Sequence, residues 1–155
     1  MLATEHPHPV ALEEARGHGV TIHGAGYRSD DATGQDAAEA IAAIDAFLVH
    51  GGLVLDGLTG IGATGALRPD AAALIAPLIA AGEPGRRPLR VIAVDLPSGT
   101  GVDDGTVSGP VLAADHTVTF TCLKGCQCLP PARHLCGVVE VVPLGLPAPT
   151  SRPLA

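Results

Sequence analysis

Two aspartates and a serine stand where apolar runs give way to turns. Asp56 interrupts the run Leu53–Leu58, and Asp95 ends the run "LRVIAVD" and opens Asp95-Leu96-Pro97-Ser98-Gly99. Each aspartate is followed by a glycine-bearing turn, so backbone N–H groups can come close to a ligand there. In an open parallel sheet, ligands bind beyond the carboxyl ends of the strands. If the two runs are neighbouring strands, both carboxylates face one crevice, with the Ser98 hydroxyl beside Asp95. Two carboxylates, a hydroxyl and free carbonyls suit either a hard cation or proton transfer. The plainer alternative is that each aspartate only caps its loop.

After Asp56 come Gly60, Gly62 and Gly65 in the spacing G-x-G-x-x-G. A dinucleotide fingerprint needs this turn directly after a strand, and an acidic residue about 20 positions on to hold the ribose. The first condition is met. The second is poorly met: Glu83 is near that distance but sits in the loop "GEPGRRP", and Asp95 is too far. An ordinary NAD fingerprint is therefore disfavoured, while a backbone cradle for a phosphate-bearing ligand stays consistent with the turn.

Other chemistry-bearing residues have plainer readings. Lys124 is the only lysine, and a lone lysine after a strand is ordinarily solvated. Cys122, Cys126, Cys128 and Cys136 are spaced C-x3-C-x-C-x7-C. Cys122 and Cys126 have a spacing open to zinc, but Cys122 falls in an expected strand, where cysteine is ordinarily buried packing. The histidines are scattered, and His116 reads as structural. Asp103 and Asp104 with Gly105 read as a turn.

The elements that must position these residues follow from the pattern. "HPHPVALEEARGHG" predicts a proline-led short helix ended by Gly17 or Gly19. Val20–Ala25 is a short β-branched run, expected as a strand. "DAAEAIAAIDAFLVHGG" has helical apolar spacing with a Gly51-Gly52 stop. "PDAAALIAPLIAAG" predicts a helix from Pro69 to Gly82, kinked at Pro77. Residues 100–115 read as irregular, and His116–Leu123 and Gly137–Gly145 as two more strands. The central strands are apolar throughout, as when helices cover both faces of a parallel sheet. The expected fold is α/β: a Rossmann-like three-layer αβα arrangement with a mostly parallel sheet. Residues 1–147 form a single domain in this reading, with 148–155 as a tail.

Composition narrows the function classes. The chain has 155 residues, 46% of them hydrophobic, and its aromatics are Tyr27, Phe47 and Phe120. Stacking platforms for single-stranded nucleic acid are thus unexpected. The net charge of -7 argues against phosphate backbones and anionic lipid as partners. No apolar run reaches the length of a membrane span, and "MLATEHPHPV" lacks the basic start of a signal peptide. The expectation is a cytoplasmic protein whose cysteines are thiols.

The order "VLDGLTGIG … VIAVDLPSG … ADHTVTFTCLKG … GVVEVVPLGLP" resembles the YjeF N-terminal domain family, the NAD(P)H-hydrate epimerases. The match runs from about Leu53 to Pro147, and "DLPSG" with "ADHTVTF…LK" is its most specific part. The resemblance implies an isomerase that interconverts the R and S forms of hydrated NADH and NADPH, a nicotinamide nucleotide repair activity. It implies Asp95 as the substrate-contacting acid/base, and Asp56 and Ser98 as ligands of a potassium ion. The turn Gly60, Ile61, Gly62, Ala63, Thr64, Gly65, Ala66 corresponds to a substrate-binding loop, and the family match makes Lys124 a candidate substrate-side charge. A homodimer is also expected.

Two departures from the family pattern stand out. The Asn-Asn-Gly-Gly-Asp loop that follows the family's first strand has no counterpart here, so the expectation is a chain lacking its first β-α unit. Such a loss would leave Val20–Ala25 without its partner and expose the edge of the Leu53–Leu58 strand. "LKGCQC" also stands where the family has Lys-Pro-Gly. The alternative to an epimerase is a catalytically inactive nucleotide-binding or protein-interaction domain of the same fold. An NAD-dependent oxidoreductase fragment is a weaker third reading.

Overall fold

The computed structural model of the chain describes residues 2–3, 8–24, 35–62, 65–82 and 89–146. Among these residues, six strands and three α-helices follow one another as β1 (Leu2–Ala3), α1 (Pro9–Gly17), β2 (His23–Gly24), α2 (Gln35–His50), β3 (Gly52–Asp56), α3 (Pro69–Ala81), β4 (Leu89–Val94), β5 (His116–Phe120) and β6 (Val138–Val142). The expected Rossmann-like α/β fold is present. Its centre is a sheet in the order β3-β4-β5-β6, with every pairing parallel.

The helices form where apolar residues share one face. In α2, Ala40, Ile44 and Leu48 recur every four residues and pack inward. Gly51 ends this helix at φ 70°, a left-handed conformation that costs glycine little. Helix α3 begins with Pro69, where a missing N–H is harmless. Its buried residues Ala71, Leu74, Ile75 and Leu78 form one stripe. The helix continues through Pro77. The carbonyl that loses its partner there belongs to Ala73, which is exposed and can turn to water.

The main core lies between these helices and one face of the sheet. Ala40 and Ile44 from α2 meet Leu74 and Leu78 from α3, with Val91 and Ala93 of β4 beneath them. The other face of β3 is open: Leu53 and Leu55 are 54% and 65% exposed. The reading of β3 as buried on both sides is corrected here. It sits at the sheet edge, and its side chains alternate between core and solvent.

Other expected boundaries also shift. Of Val20–Ala25, only His23–Gly24 forms a strand, and Ala25 lies outside the described residues. This strand is not left without a partner, because it pairs in parallel with β1. A two-residue strand at the start of the chain carries no readable periodicity. β5 stops at Phe120 because Thr121 has φ 67°, which a β-branched residue reaches only under strain. Asp103–Gly105 is a turn as expected. There the Thr106 backbone N–H and then its hydroxyl bond to the Asp104 carboxyl and pull it below its usual range. Among the described residues, no helix is long and apolar enough to cross a membrane.

Candidate active site

Parallel pairing of β3 with β4 brings Asp56 and Asp95 to the same end of the sheet. Asp56 closes β3 opposite Ala93, and Asp95 follows β4 directly. The Asp95 N–H donates to the carbonyl of Val118 at 2.8 Å, so the ladder to β5 persists to this residue. The turn Leu96–Thr100 then folds back into the protein and is buried throughout. Leu96 packs with Cys126 and Ala132, and Thr100 closes the turn with its hydroxyl on the Pro97 carbonyl. Gly99 is required at its position: φ is +95°, and a Cβ would press on Leu67, Val111 and the Pro110 carbonyl.

That turn delivers Ser98 to Asp56. The Ser98 N–H donates to Asp56 Oδ2 at 2.8 Å, and the Ser98 hydroxyl donates to Oδ1 at 2.5 Å. Leu58 N–H approaches Oδ1 at 3.4 Å. Ser98 Oγ in turn accepts from the Thr59 N–H at 3.0 Å. Asp56 is 5% exposed, and among the described residues no Lys, Arg or His forms an ion pair with it. Buried carboxylates are ordinarily paired with a cation or coordinate one. The hydroxyl of the same Thr59 is buried with no hydrogen-bond partner among the described residues. Among the described residues, the Asp56 carboxyl oxygens, the Ser98 hydroxyl with a spare lone pair and the Thr59 hydroxyl are oxygen donors of the kind a hard cation takes.

Asp95 is held by a different set of residues. It has φ 73°, in the left-handed region that aspartate visits more often than most residues. Its Oδ1 accepts from Lys124 Nζ at 2.5 Å and from the Thr119 hydroxyl at 3.0 Å. Lys124 Nζ also donates to Thr119 Oγ1 and to the Phe120 carbonyl. The Gln127 side chain donates to the Asp95 carbonyl at 2.7 Å and accepts from the Lys124 N–H at 2.8 Å. The Lys124 and Asp95 side chains are only 13% and 14% exposed.

This overturns the solvated reading of Lys124. The turn at Thr121 folds the chain back over the end of β5, and the ammonium lands on Asp95. Thr119 and Gln127 were also missed by sequence reasoning. Their roles depend on contacts 24 and 32 residues away in the chain, which leave no local pattern. The one available signal was that the chain's only lysine follows the strand next to the Asp95 strand.

The glycine turn is described in part. Gly60, Ile61, Gly62, Gly65 and Ala66 lie between β3 and α3, while Ala63 and Thr64 fall outside the described residues. Ile61 is exposed, and, chain neighbours aside, no atom of a described residue lies within 4 Å of a Cβ built at Gly60, Gly62 or Gly65. These positions therefore border open space at the same end of the sheet as both aspartates.

The cysteines do not assemble. All four are free thiols; Cys122 and Cys128 are exposed, and Cys126 and Cys136 are buried. Cys122 thus lies outside the strand core where it was expected, because β5 ends before it. Burial raises the Cys126 thiol, and burial with the neighbouring Cys126 pushes Cys136 up to about 11. Among the described residues, no group of three His, Cys, Asp or Glu side chains is placed to hold a metal.

Comparison with known proteins adds a family. The model for the YjeF-related protein N-terminus matches residues 8–126, starting well before the motifs that begin at Leu53. An NAD(P)H-hydrate epimerase of Clavibacter michiganensis is 40% identical over 154 residues, covering 95% of this chain and 60% of that protein. One from Clavibacter sepedonicus is 46% identical over 110 residues, 66% of this chain and 46% of the relative. The Bifunctional NAD(P)H-hydrate repair enzyme Nnr of Mycobacterium leprae is 46% identical over 99 residues, 64% of this chain and 19% of that protein. The chain therefore spans between about a fifth and three fifths of the length of these relatives.

Proposed function

This chain belongs to the YjeF-related protein N-terminus family, and we propose that it interconverts the R and S forms of hydrated NADH and NADPH. The observation that carries this reading is the meeting of Asp56, Ser98 and Asp95 at one end of a parallel sheet, beside an open glycine turn, in a chain similar to proteins named NAD(P)H-hydrate epimerase. The substrate carries a hydroxyl on its reduced nicotinamide ring. Asp95 acts as acid and then as base. The ring C–O bond breaks as the hydroxyl takes a proton from the Asp95 carboxyl and leaves as water. The resulting cationic ring lies against the Asp95 carboxylate, which stabilises it. Water then adds to the opposite face and gives its proton to solvent, and the Asp95 carboxylate takes a proton back from solvent, giving the epimer and the starting acid.

The Gly60–Ala66 turn supplies backbone N–H groups for the nucleotide part of the substrate. Asp56 and Ser98, with the Thr59 hydroxyl that has no partner among the described residues, are the residues that would hold a potassium ion. Bound there, the ion would supply positive charge to a buried Asp56 carboxylate that has no ion pair among the described residues. A homodimer in the cytoplasm is the setting this reading carries with it.

The test is incubation of the R form of hydrated NADPH with the chain, following the S form by chromatography. The wild type should exceed the spontaneous rate, and Asp95→Asn should fall back to it. An Asp95→Asn rate equal to wild type refutes the role of Asp95.

A further inference from the structure

We infer that Lys124 and Gln127 are positioning residues that divide the work of the two Asp95 oxygens, locking Oδ1 and leaving Oδ2 to exchange the proton. The inference rests on the reading of Asp95 as the acid/base of an epimerase, and it concerns how that group is held. Three observations converge on it. The first is backbone strain at two adjacent strand ends: Asp95 at φ 73° and Thr121 at φ 67°. Such conformations persist only where the surroundings fix them, and they gather at functional sites.

The second is that Lys124 and Gln127 between them engage both strained segments. Lys124 Nζ bonds to Asp95 Oδ1, to Thr119 Oγ1 and to the carbonyl of Phe120, which immediately precedes Thr121. Gln127 holds the Asp95 carbonyl with its amide N–H and the Lys124 N–H with its amide oxygen. Side chain and main chain of Asp95 are thus both gripped from one short segment. Gly125 lets this segment lie close, since a Cβ there would overlap the backbone of Asp103.

The third is the asymmetry of the carboxyl group. Oδ1 takes two donors, one of them an ammonium, and among the described residues both side-chain bonds to the Asp95 carboxyl fall on that oxygen and none on Oδ2. A proton on Oδ1 would have to displace the Lys124 ammonium. Oδ2 is therefore the oxygen that gives the proton to the leaving hydroxyl and is protonated again once water has added. Lys124 offsets the carboxylate charge between the two steps without touching substrate. Precise placement is worth much here, because a displacement of about 1 Å at a reacting group can cost about a hundredfold in rate.

The test compares wild type with Lys124→Met, Lys124→Arg and Gln127→Glu, each checked for folding by circular dichroism. Lys124→Met should lower kcat about a hundredfold with KM within about threefold of wild type. Added ethylammonium should restore part of that kcat and leave the wild type unchanged. Lys124→Arg should retain more activity than Lys124→Met. Gln127→Glu removes the donor to the Asp95 carbonyl while keeping the acceptor for the Lys124 N–H, and it too should lower kcat rather than raise KM. A rise in KM at unchanged kcat would make Lys124 a substrate contact and overturn the inference, as would wild-type kinetics.

A second readout needs no turnover. In protein carrying 13C at aspartate carboxyls, the Asp95 resonance, assigned with Asp95→Asn, should move in Lys124→Met and in Gln127→Glu. An unmoved resonance overturns the bracket whatever the activity. Wild-type protein that epimerises nothing, yet shows the shifts, overturns the functional reading and leaves the bracket standing. Should Lys124→Met not fold, Thr119→Val removes the second donor to Oδ1, and the same shift and the same loss of kcat decide the matter.

Discussion

Replacing Ser98 by alanine separates the cation site from the proton-transfer group. The Ser98 hydroxyl donates to Asp56 Oδ1 at 2.5 Å and accepts from the Thr59 N–H at 3.0 Å. A hydrogen bond to a charged partner is worth about 1.5–3 kcal/mol, and a partly buried donor left unpaired costs about 1 kcal/mol more. The Ser98 N–H still reaches Oδ2, so the carboxylate keeps its backbone donor and the loss should stop near about 2.5–4 kcal/mol. For a chain of this size that corresponds to a fall in Tm of about 5–15 °C. Thermal unfolding by circular dichroism measures it, and urea unfolding should show a lower midpoint at an unchanged slope. Repeating the melts in potassium and in choline chloride at equal ionic strength adds a ligand arm. The wild type should be stabilised by potassium, and Ser98→Ala should lose that increment. A Tm within about 2 °C of wild type would refute the claim that this hydroxyl links β3 to the turn after β4. A potassium increment surviving in Ser98→Ala would refute its part in cation binding.

Further expectations follow from neighbouring features. Gly125→Ala would drive a Cβ into the Asp103 backbone, so it should cost about 1–3 kcal/mol by urea unfolding and lower kcat by displacing Lys124. At pH 8, Ellman's reagent should react quickly with exposed Cys122 and Cys128 and reach Cys126 and Cys136 only on unfolding. Burial raises the Cys136 thiol to about 11 in the folded protein against 9.0 as the ordinary value. The unfolded state therefore loses this proton first, and the contribution of Cys136 to stability should be intact below about pH 9 and decline toward about 11. Urea midpoints across that range, set against Cys136→Ser, measure it; a rise in stability would contradict the burial argument. Leu55→Lys, at an exposed edge position, should change stability by less than about 0.5 kcal/mol and reduce self-association in light scattering.

The parts of the site legible in the sequence were those fixed locally. Asp56 and Asp95 end apolar strands, and parallel pairing of consecutive strands places such ends together. Ser98 was legible as an oxygen near Asp95, but its bonds run to Asp56, because the buried Leu96–Thr100 turn doubles back. Lys124 was legible only as a candidate substrate-side charge, and its bond to Asp95, like that of Gln127, was not, since their approach depends on a strained threonine ending β5 early. The same early end explains why Cys122 is exposed where a strand core was expected. Leu53 and Leu55 misled in another way: an apolar run reads alike whether a strand is central or at an edge, and only the sheet order decides.

The proposed chemistry stands on one group, the Asp95 carboxyl. The measurement that tests it most directly is the rate of interconversion of R- and S-hydrated NADPH, followed by chromatography with wild type and Asp95→Asn at matched folded concentration. The wild type should run well above the spontaneous rate and Asp95→Asn at that rate. Folded wild-type protein that does not exceed the spontaneous rate would contradict the account.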